Sequence, residues 1–456
     1  MAPGAGSAAT GSKGKIEAPS TVLIYSHSWL PGQVDGVAIR MMAHVKELVK
    51  RGCKVTVVTP DFVVWGELTG EAAKPPVQQA IPGVVEHVVL ETQRTPVYRK
   101  NLCMRYSLRN FSTLVSLIKR IKPDIVHGTQ EASIQVLATA CLFCDVPLVV
   151  SLHTDVGQIA ARDQNFSTLG GTIGRIHAKI AVACTNWGYR NWALSGSSFF
   201  AVSEQAKKLL KNAGVSDHCV YPACWGPMVD RETFCVDMPL DKVAEERKRL
   251  TFGIEDAFLM AYVGRVTAEK DVQFLVDALK RTPKNVVLAL VGSGSMVEEL
   301  KKLHGKENRL HCSGDFVGRE QVALSLRACD CCVSASTMET IGLTAMESVS
   351  CGTPFLAANA QGFAEHMEHG KNARLWEPHS EESFDKELAE LMKCGDKDNW
   401  GREALRASMA WASLDDCTDR ALQGYLLTKR ADKYSLRLLV TMFFFVLNWC
   451  IGWFVG

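Results

Sequence analysis

The 456-residue chain is short of net charge: 51 Lys and Arg meet 49 Asp and Glu, a formal +2. No global field therefore drives it toward nucleic acid. The N-terminus, MAPGAGSAATGSKGKIEAPS, lacks the apolar core of a secretory leader and is poor in arginine, which argues against a transit peptide. Its small, polar residues predict disorder over 1–19. Neither a G-x-G-x-x-G fingerprint nor a P-loop occurs, so dinucleotide and ATP readings are weak. The 16 cysteines do not suit a disulfide framework, because the chain is not a small secreted scaffold. Several sit in apolar, strand-like runs such as CDCCV at 329–333 and read as reduced thiols. Cys141 and Cys144 form a C-x-x-C with no second pair at zinc spacing, and read as part of a helix face.

What is present is a globular composition, 47% hydrophobic and 22% charged, at a length that suits two domains of about 200 residues each. Apolar, β-rich runs alternate with helical periodicity. TVLIYSHSW (21–29) precedes a helix from Val37 to Arg51, which Gly52 stops, and CKVTVVTPD (53–61) follows. That is a βαβ unit. Further strands are expected at 122–129 and 146–153. A second set is expected at 257–265, 285–295, 330–336 and 353–360, with the charged stretch near 236–255 as a linker. The fold class is α/β: two doubly wound, Rossmann-like halves facing a cleft that collects the carboxyl ends of both sets of strands. From Leu438 to Gly456 no charge occurs, and Lys429, Arg430, Lys433 and Arg437 precede that stretch. About nineteen residues at ~1.5 Å each approach the ~30 Å core of a bilayer. A membrane-anchoring or transmembrane helix over 436–456 is therefore expected, as a tail anchor that leaves the rest facing the cytosol.

The strand ends carry the chemistry. The first strand runs into LPGQVDGV, whose glycines let backbone approach a ligand. SLHTD places His153 and Asp155 at the cleft. AYVGRVTAEK ends a strand with Arg265 and Lys270, two cations that suit a diphosphate. VGSGS brings Gly292 to another strand end. DCCVSAS leads through STMETIGL into the helix LTAMESVSCG. Glu339 then lies in the loop and Glu347 in the helix, with the helix start at Gly342, Leu343 and Thr344 between them. Such an arrangement suits one extended ligand: sugar hydroxyls on Glu339, phosphates at the helix start, a ribose on Glu347.

The run VGRVTAEK, SGDFVG, STMETIGLTAMES and CGTPFLAANAQGFAE resembles the donor half of the family-four retaining glycosyltransferases, which have a two-Rossmann GT-B fold. SLHTD, FFAVSEQAKKLL (199–210) and WGPMVDRETF (225–234) extend the resemblance over about 20 to 420. Within the family, ETIGL and WGPMVDRETF look closest to the sulfoquinovosyl-diacylglycerol synthase branch and related glycolipid glycosyltransferases. The resemblance implies an acceptor-binding domain over 20–235 and a nucleotide-sugar-binding domain over 236–425. It implies that Arg265 and Lys270 neutralise the donor diphosphate, that Glu339 holds the sugar and Glu347 the ribose, and that Val317 lies where the base is read. His153 would face the sugar from the first half, and Gly36 would let the first loop close over it. The resemblance also implies front-face attack with retention, the departing phosphate taking the acceptor proton, and neither a cofactor nor a metal is expected. The one Asp-x-Asp, Asp396–Asp398, reads as a surface loop.

Two departures stand out: Asp35-Gly36 and Gln361-Gly362 replace glycine pairs common in the family. Residues 91–125 carry Arg94, Arg99, Lys100, Arg105, Arg109, Lys119, Arg120 and Lys122 against Glu91 and Asp124, which suits an anionic lipid surface. The expected function is transfer from a nucleotide-sugar, UDP-sulfoquinovose among the UDP-sugars, to a lipid such as diacylglycerol in glycolipid or sulfolipid biosynthesis. A plastid membrane fits the sulfolipid branch. A GDP-mannose-dependent mannosyltransferase, a sugar-nucleotide epimerase, and a non-catalytic sugar-nucleotide sensor or membrane scaffold are the alternatives.

Overall fold

The structure, a computed structural model, describes residues 18–33, 35–62, 80–94, 102–131, 133–155, 171–304, 309–314, 317–393 and 400–428. The first half comprises β1 (Thr21–Tyr25), α1 (Gly36–Lys50), β2 (Lys54–Pro60), β3 (Glu86–Leu90), β4 (Thr92–Arg94), β5 (Leu102–Met104), α2 (Leu108–Ile121), β6 (Ile125–Thr129), α3 (Ile134–Cys144), β7 (Leu148–Leu152), α4 (Gly171–Leu194), β8 (Ser198–Ala201) and α5 (Glu204–Asn212). The second half begins with α6 (Leu240–Leu250), β9 (Phe258–Val263), α7 (Val272–Ala278), β10 (Val286–Val291), α8 (Val297–His304), β11 (Leu310–Cys312), α9 (Arg319–Ala328) and β12 (Cys331–Ser334). It continues with α10 (Leu343–Ser350), β13 (Phe355–Ala358), α11 (Gln361–His366), β14 (Ala373–Trp376), α12 (Glu381–Lys393), α13 (Arg402–Ser408) and α14 (Leu414–Leu427).

Each half is built on a parallel sheet, ordered β3-β2-β1-β6-β7-β8 and β11-β10-β9-β12-β13-β14. Helices cover both faces of such sheets, so their strands are apolar at every position rather than at alternate ones. Val286–Val291 is buried throughout, as are Val22–Tyr25. In each sheet the order reverses at the central strand, β1 or β9, which opens a crevice at its carboxyl end. Asp35 starts α1 as an N-cap: its Oδ1 accepts from the Ala38 amide at 2.8 Å.

The last helix ties the halves together. Tyr425 on α14 sits against the first sheet, its ring stacked on Phe200 at 5.7 Å. Its hydroxyl lies 2.7 Å from both His44 Nε2 and His127 Nδ1. One proton serves both contacts, so the hydroxyl donates to one ring and accepts from the other, and both imidazoles are neutral. Arg51 anchors the start of the same helix through Asp419 and Asp415.

Two expectations change. The charged stretch 236–255 is not an extended linker, because it carries α6, which packs on α9. Glu246 is buried there, accepting from Arg249 and from Ser325 Oγ, and Arg247 pairs with Asp330 at 2.8 Å. The charges that suggested a linker are satisfied inside the second half. The tail-anchored, cytosol-facing localisation is also withdrawn. No helix among the described residues is long and apolar enough to cross a membrane. The longest, α4, carries Arg175, Lys179 and Arg190, and the stretch 436–456 lies outside the described residues.

Tyr425→Phe should lower unfolding stability by about 1–3 kcal/mol, because two buried imidazole nitrogens lose their partner. Urea denaturation measures this, and an unchanged midpoint contradicts the joint. The pH dependence follows from the same burial. His127 is pushed down to about 3 by burial and then by Arg40, and His44 is lowered by burial and His127. Unfolded histidine takes up its proton near pH ~6.5, so below that pH the unfolded chain binds more protons and stability falls. Glu131, pushed up to about 8 by burial, acts oppositely: between its ordinary 4.5 and 8 the folded chain holds the extra proton, and stability falls as pH rises. Thermal unfolding should therefore peak near pH ~6.5 and decline on both sides.

Candidate active site

The loops after β9 and β10 meet backbone to backbone. A Cβ added at Gly292 would lie 2.1 Å from the Gly264 carbonyl oxygen, and Gly292 has φ of 144°. No other residue fits that approach. The contact presses the β10 end against Gly264-Arg265-Val266, and the Val266 amide donates to Ser293 O at 2.9 Å. Beyond it, Arg265 pairs with Glu269 at 2.6 Å, and both side chains are about half exposed.

Lys270 reaches across to the next loop and donates to Glu339 Oε1. Both side chains are largely buried, so the pair is screened less than one on the surface. Glu339 is fixed from behind: its carbonyl accepts from the Gly362 amide at 2.7 Å. A Cβ at Gly362 would come within 2.6 Å of that oxygen, so the single glycine left in Gln361-Gly362 is the one this approach requires. Gly342, in the left-handed region with φ of 76°, turns the chain into α10 over the ring of Phe363. Leu343 and Thr344 open the helix. Glu347 is buried one turn on and accepts from Arg319 Nη2 at 3.0 Å. Burial raises its pKa and Arg319 opposes the rise. Arg319 in turn lies over the Phe234 ring at 4.7 Å. Val317 precedes α9, packed against a small cluster that includes Leu259 and Val287.

The first half supplies the facing wall. His153 follows β7, with Nε2 2.8 Å from Ser151 Oγ and its ring 5.8 Å from that of Trp225. Burial, then Arg40 and neighbouring histidines, hold it well below the usual range and therefore neutral. A Cβ added at Gly36 would meet Leu343 Cδ1 at 3.9 Å, so the start of α1 faces the start of α10 across the cleft. His27, at the β1 end, hydrogen-bonds Thr129 Oγ1 through its amide at 3.0 Å and its Nδ1 at 2.8 Å.

The structure thus joins Lys270 to Glu339 directly and sets Gly36 opposite Leu343. His153 makes no hydrogen bond to the second half among the described residues. Sequence reasoning missed Arg319 and Arg40, and it met Trp225 only as the first residue of WGPMVDRETF, without giving it a role. Among the described residues no group of three or more His, Cys, Asp or Glu side chains is placed to hold a metal ion. Asp396–Asp398 lies outside those residues.

Two family models match the chain in succession: Glycosyltransferase Family 4 over residues 34–223 and Glycosyl transferases group 1 over 244–406. The sulfoquinovosyl transferase SQD2 of Arabidopsis thaliana is 28% identical over 62% of this chain and 52% of its own length, so the match spans about half of that relative. A D-inositol 3-phosphate glycosyltransferase of Xylanimonas cellulosilytica is 27% identical over 73% of this chain and 77% of its own. Among solved structures, HepE of Anabaena in complex with UDP and glucose superimposes with a TM-score of 0.65 at 18% identity, over 89% of this chain and 99% of that one. The two sheets, the cleft between them and the paired family matches give one conclusion: the chain belongs to the family-four, group 1 glycosyltransferases and is a glycosyltransferase of the GT-B fold.

Proposed function

We propose that the chain transfers a hexose from a UDP-sugar to a lipid hydroxyl, such as that of diacylglycerol, with retention at the anomeric carbon. The observation that carries this reading is Lys270 set on Glu339 at the mouth of α10, with Glu347 buried one turn further along. The second half (236–425) binds the donor and the first (20–235) the acceptor. Lys270 and Arg265 meet the diphosphate, which competes with Glu339 for the ammonium and frees that carboxylate for sugar hydroxyls. The amides at Gly342–Thr344 add the positive end of a helix. Glu347, kept in place by Arg319, accepts from the ribose. The backbone at Val317 lies beside the base, and the Gly292 loop leaves room for the phosphates. His153, neutral, donates to or accepts from the sugar without adding charge.

The bond from the anomeric carbon to the diphosphate oxygen breaks, and the acceptor oxygen bonds that carbon on the same face. The acceptor proton passes to the departing phosphate, so no protein base is needed. Charge stabilisation of the leaving group is then the main contribution. The name of SQD2 supports a sulfoquinovosyl donor, and the HepE complexes support UDP as the nucleotide. Exposed Arg109 and Arg120 support an anionic lipid surface near the acceptor, although each also pairs with a glutamate, Glu91 or Glu86.

Lys270→Ala and Glu339→Gln should each lower kcat by about 10²- to 10³-fold. Turnover is read as release of nucleoside diphosphate across UDP- and GDP-sugars, with and without diacylglycerol vesicles. Vesicle-dependent release that collapses in both variants, with the product anomer matching the donor by NMR, supports the proposal. Turnover only with a soluble polyol phosphate, or variants as fast as the parent, contradicts it.

A further inference from the structure

The first turn of α5, in the first half, is completed by a side chain of the second half. The amides at a helix start have no partner within the helix. In α5 the Ala206 amide donates to Ser203 Oγ at 3.2 Å, and the Lys207 amide to the Ser203 carbonyl at 3.1 Å. The remaining two reach across to α11. The Glu204 amide donates to Glu365 Oε1 at 2.7 Å, and the Gln205 amide to Oε2 at 3.4 Å. One carboxylate of the second half thus spans two amides at the positive end of the helix. The Glu365 side chain is 21% exposed, so salt weakens the contact less than it would on an open surface. Burial raises its pKa, and the two amides oppose the rise. The carboxylate of Glu204 is engaged within its own half, accepting from Lys207 Nζ at 2.7 Å and from the Cys224 thiol at 3.1 Å.

The other end of α11 belongs to the donor side of the cleft. Gly362, three residues before Glu365, donates its amide to the Glu339 carbonyl. Phe363 lies against Gly342, where the chain turns into α10. The helix has six residues, so Gly362 and Glu365 are about one turn apart on one rigid piece. A ligand that settles Glu339 and the start of α10 therefore settles Glu365 as well. Cross-cleft contact and donor-side loop are joined through one short element.

We propose that Glu365 is a positioning residue that clasps α5 and so holds the first half on the second, with α11 tying the clasp to occupancy of the site at Glu339 and Gly342. The inference rests on the nucleotide-sugar reading above and adds the route by which a bound donor is felt in the acceptor half.

Hydrogen–deuterium exchange of the full chain, with and without UDP, reads the clasp at residues 204–208, where exchange follows how often it opens. UDP should slow exchange there by about fivefold or more. In Glu365→Ala these residues should exchange about tenfold faster, the loss expected of a charge-assisted hydrogen bond. UDP should then leave them unaffected while still protecting 264–270. Glu365→Gln keeps the shape without the charge, should fall between, and covers the case in which the alanine variant does not fold. Ser203→Ala weakens the same turn from within its own half: exchange should quicken, yet the UDP effect should remain. In the vesicle turnover assay Glu365→Ala should lower kcat by about fivefold, with KM for the donor within about twofold. No UDP effect at 204–208 in the parent, an effect that persists in Glu365→Ala, or an unchanged kcat overturns the inference alone. Loss of protection at 264–270 in the parent as well overturns the donor reading with it.

Discussion

The ammonium of Lys270 on the carboxylate of Glu339 joins the loops that follow β9 and β12, neighbouring strands of the second sheet. Much of the cleft is organised around that contact. Lys270 stands where it does because β9 ends in a glycine that the β10 loop presses upon. Glu339 stands where it does because Gly362 carries no side chain to push its carbonyl away. An ion pair held by two such backbone approaches is positioned before any ligand arrives, and its partial burial leaves it less screened by salt than a surface pair. Pre-placed charge of this kind loses little to reorganisation when charge develops on a leaving group.

A second constraint acts between the halves. Chain connectivity alone would leave two sheets free to turn about the segment near Trp225. The return of α14 to the first sheet, through Tyr425, His44, His127 and Arg51, limits that freedom. Trp225 lies among these rings, 5.0 Å from His44 and 5.1 Å from His127. The joint and the floor of the cleft therefore share residues, so the packing that stabilises the molecule also bears on how the cleft opens.

Much of the fold was legible because parallel strands buried on both faces are continuous apolar runs. Val286–Val291 lies within the run expected at 285–295, and Phe258–Val263 within 257–265. The placement of Glu339 in a loop and Glu347 in the next helix followed from Gly342, a helix start readable from a glycine and the apolar period after it. The rest depended on contacts between distant positions. Arg319 meets Glu347 from 28 residues away, and Tyr425 meets His44 across 381. Neither spacing leaves a local signal. Helix α6 was misread because its charges resemble a solvated linker until their partners, Asp330 and Ser325, are seen in three dimensions. The uncharged run at 436–456 lies outside the described residues, and no helix among those is long and apolar enough to cross a membrane.

Hydrogen–deuterium exchange of the whole chain, with and without UDP, tests the central claim most directly. The account predicts that UDP slows exchange in 264–270, 292–294 and 339–347, the loops that the ion pair and the glycine contacts bring together. Protection confined to the first half, or no protection at saturating UDP, would contradict it.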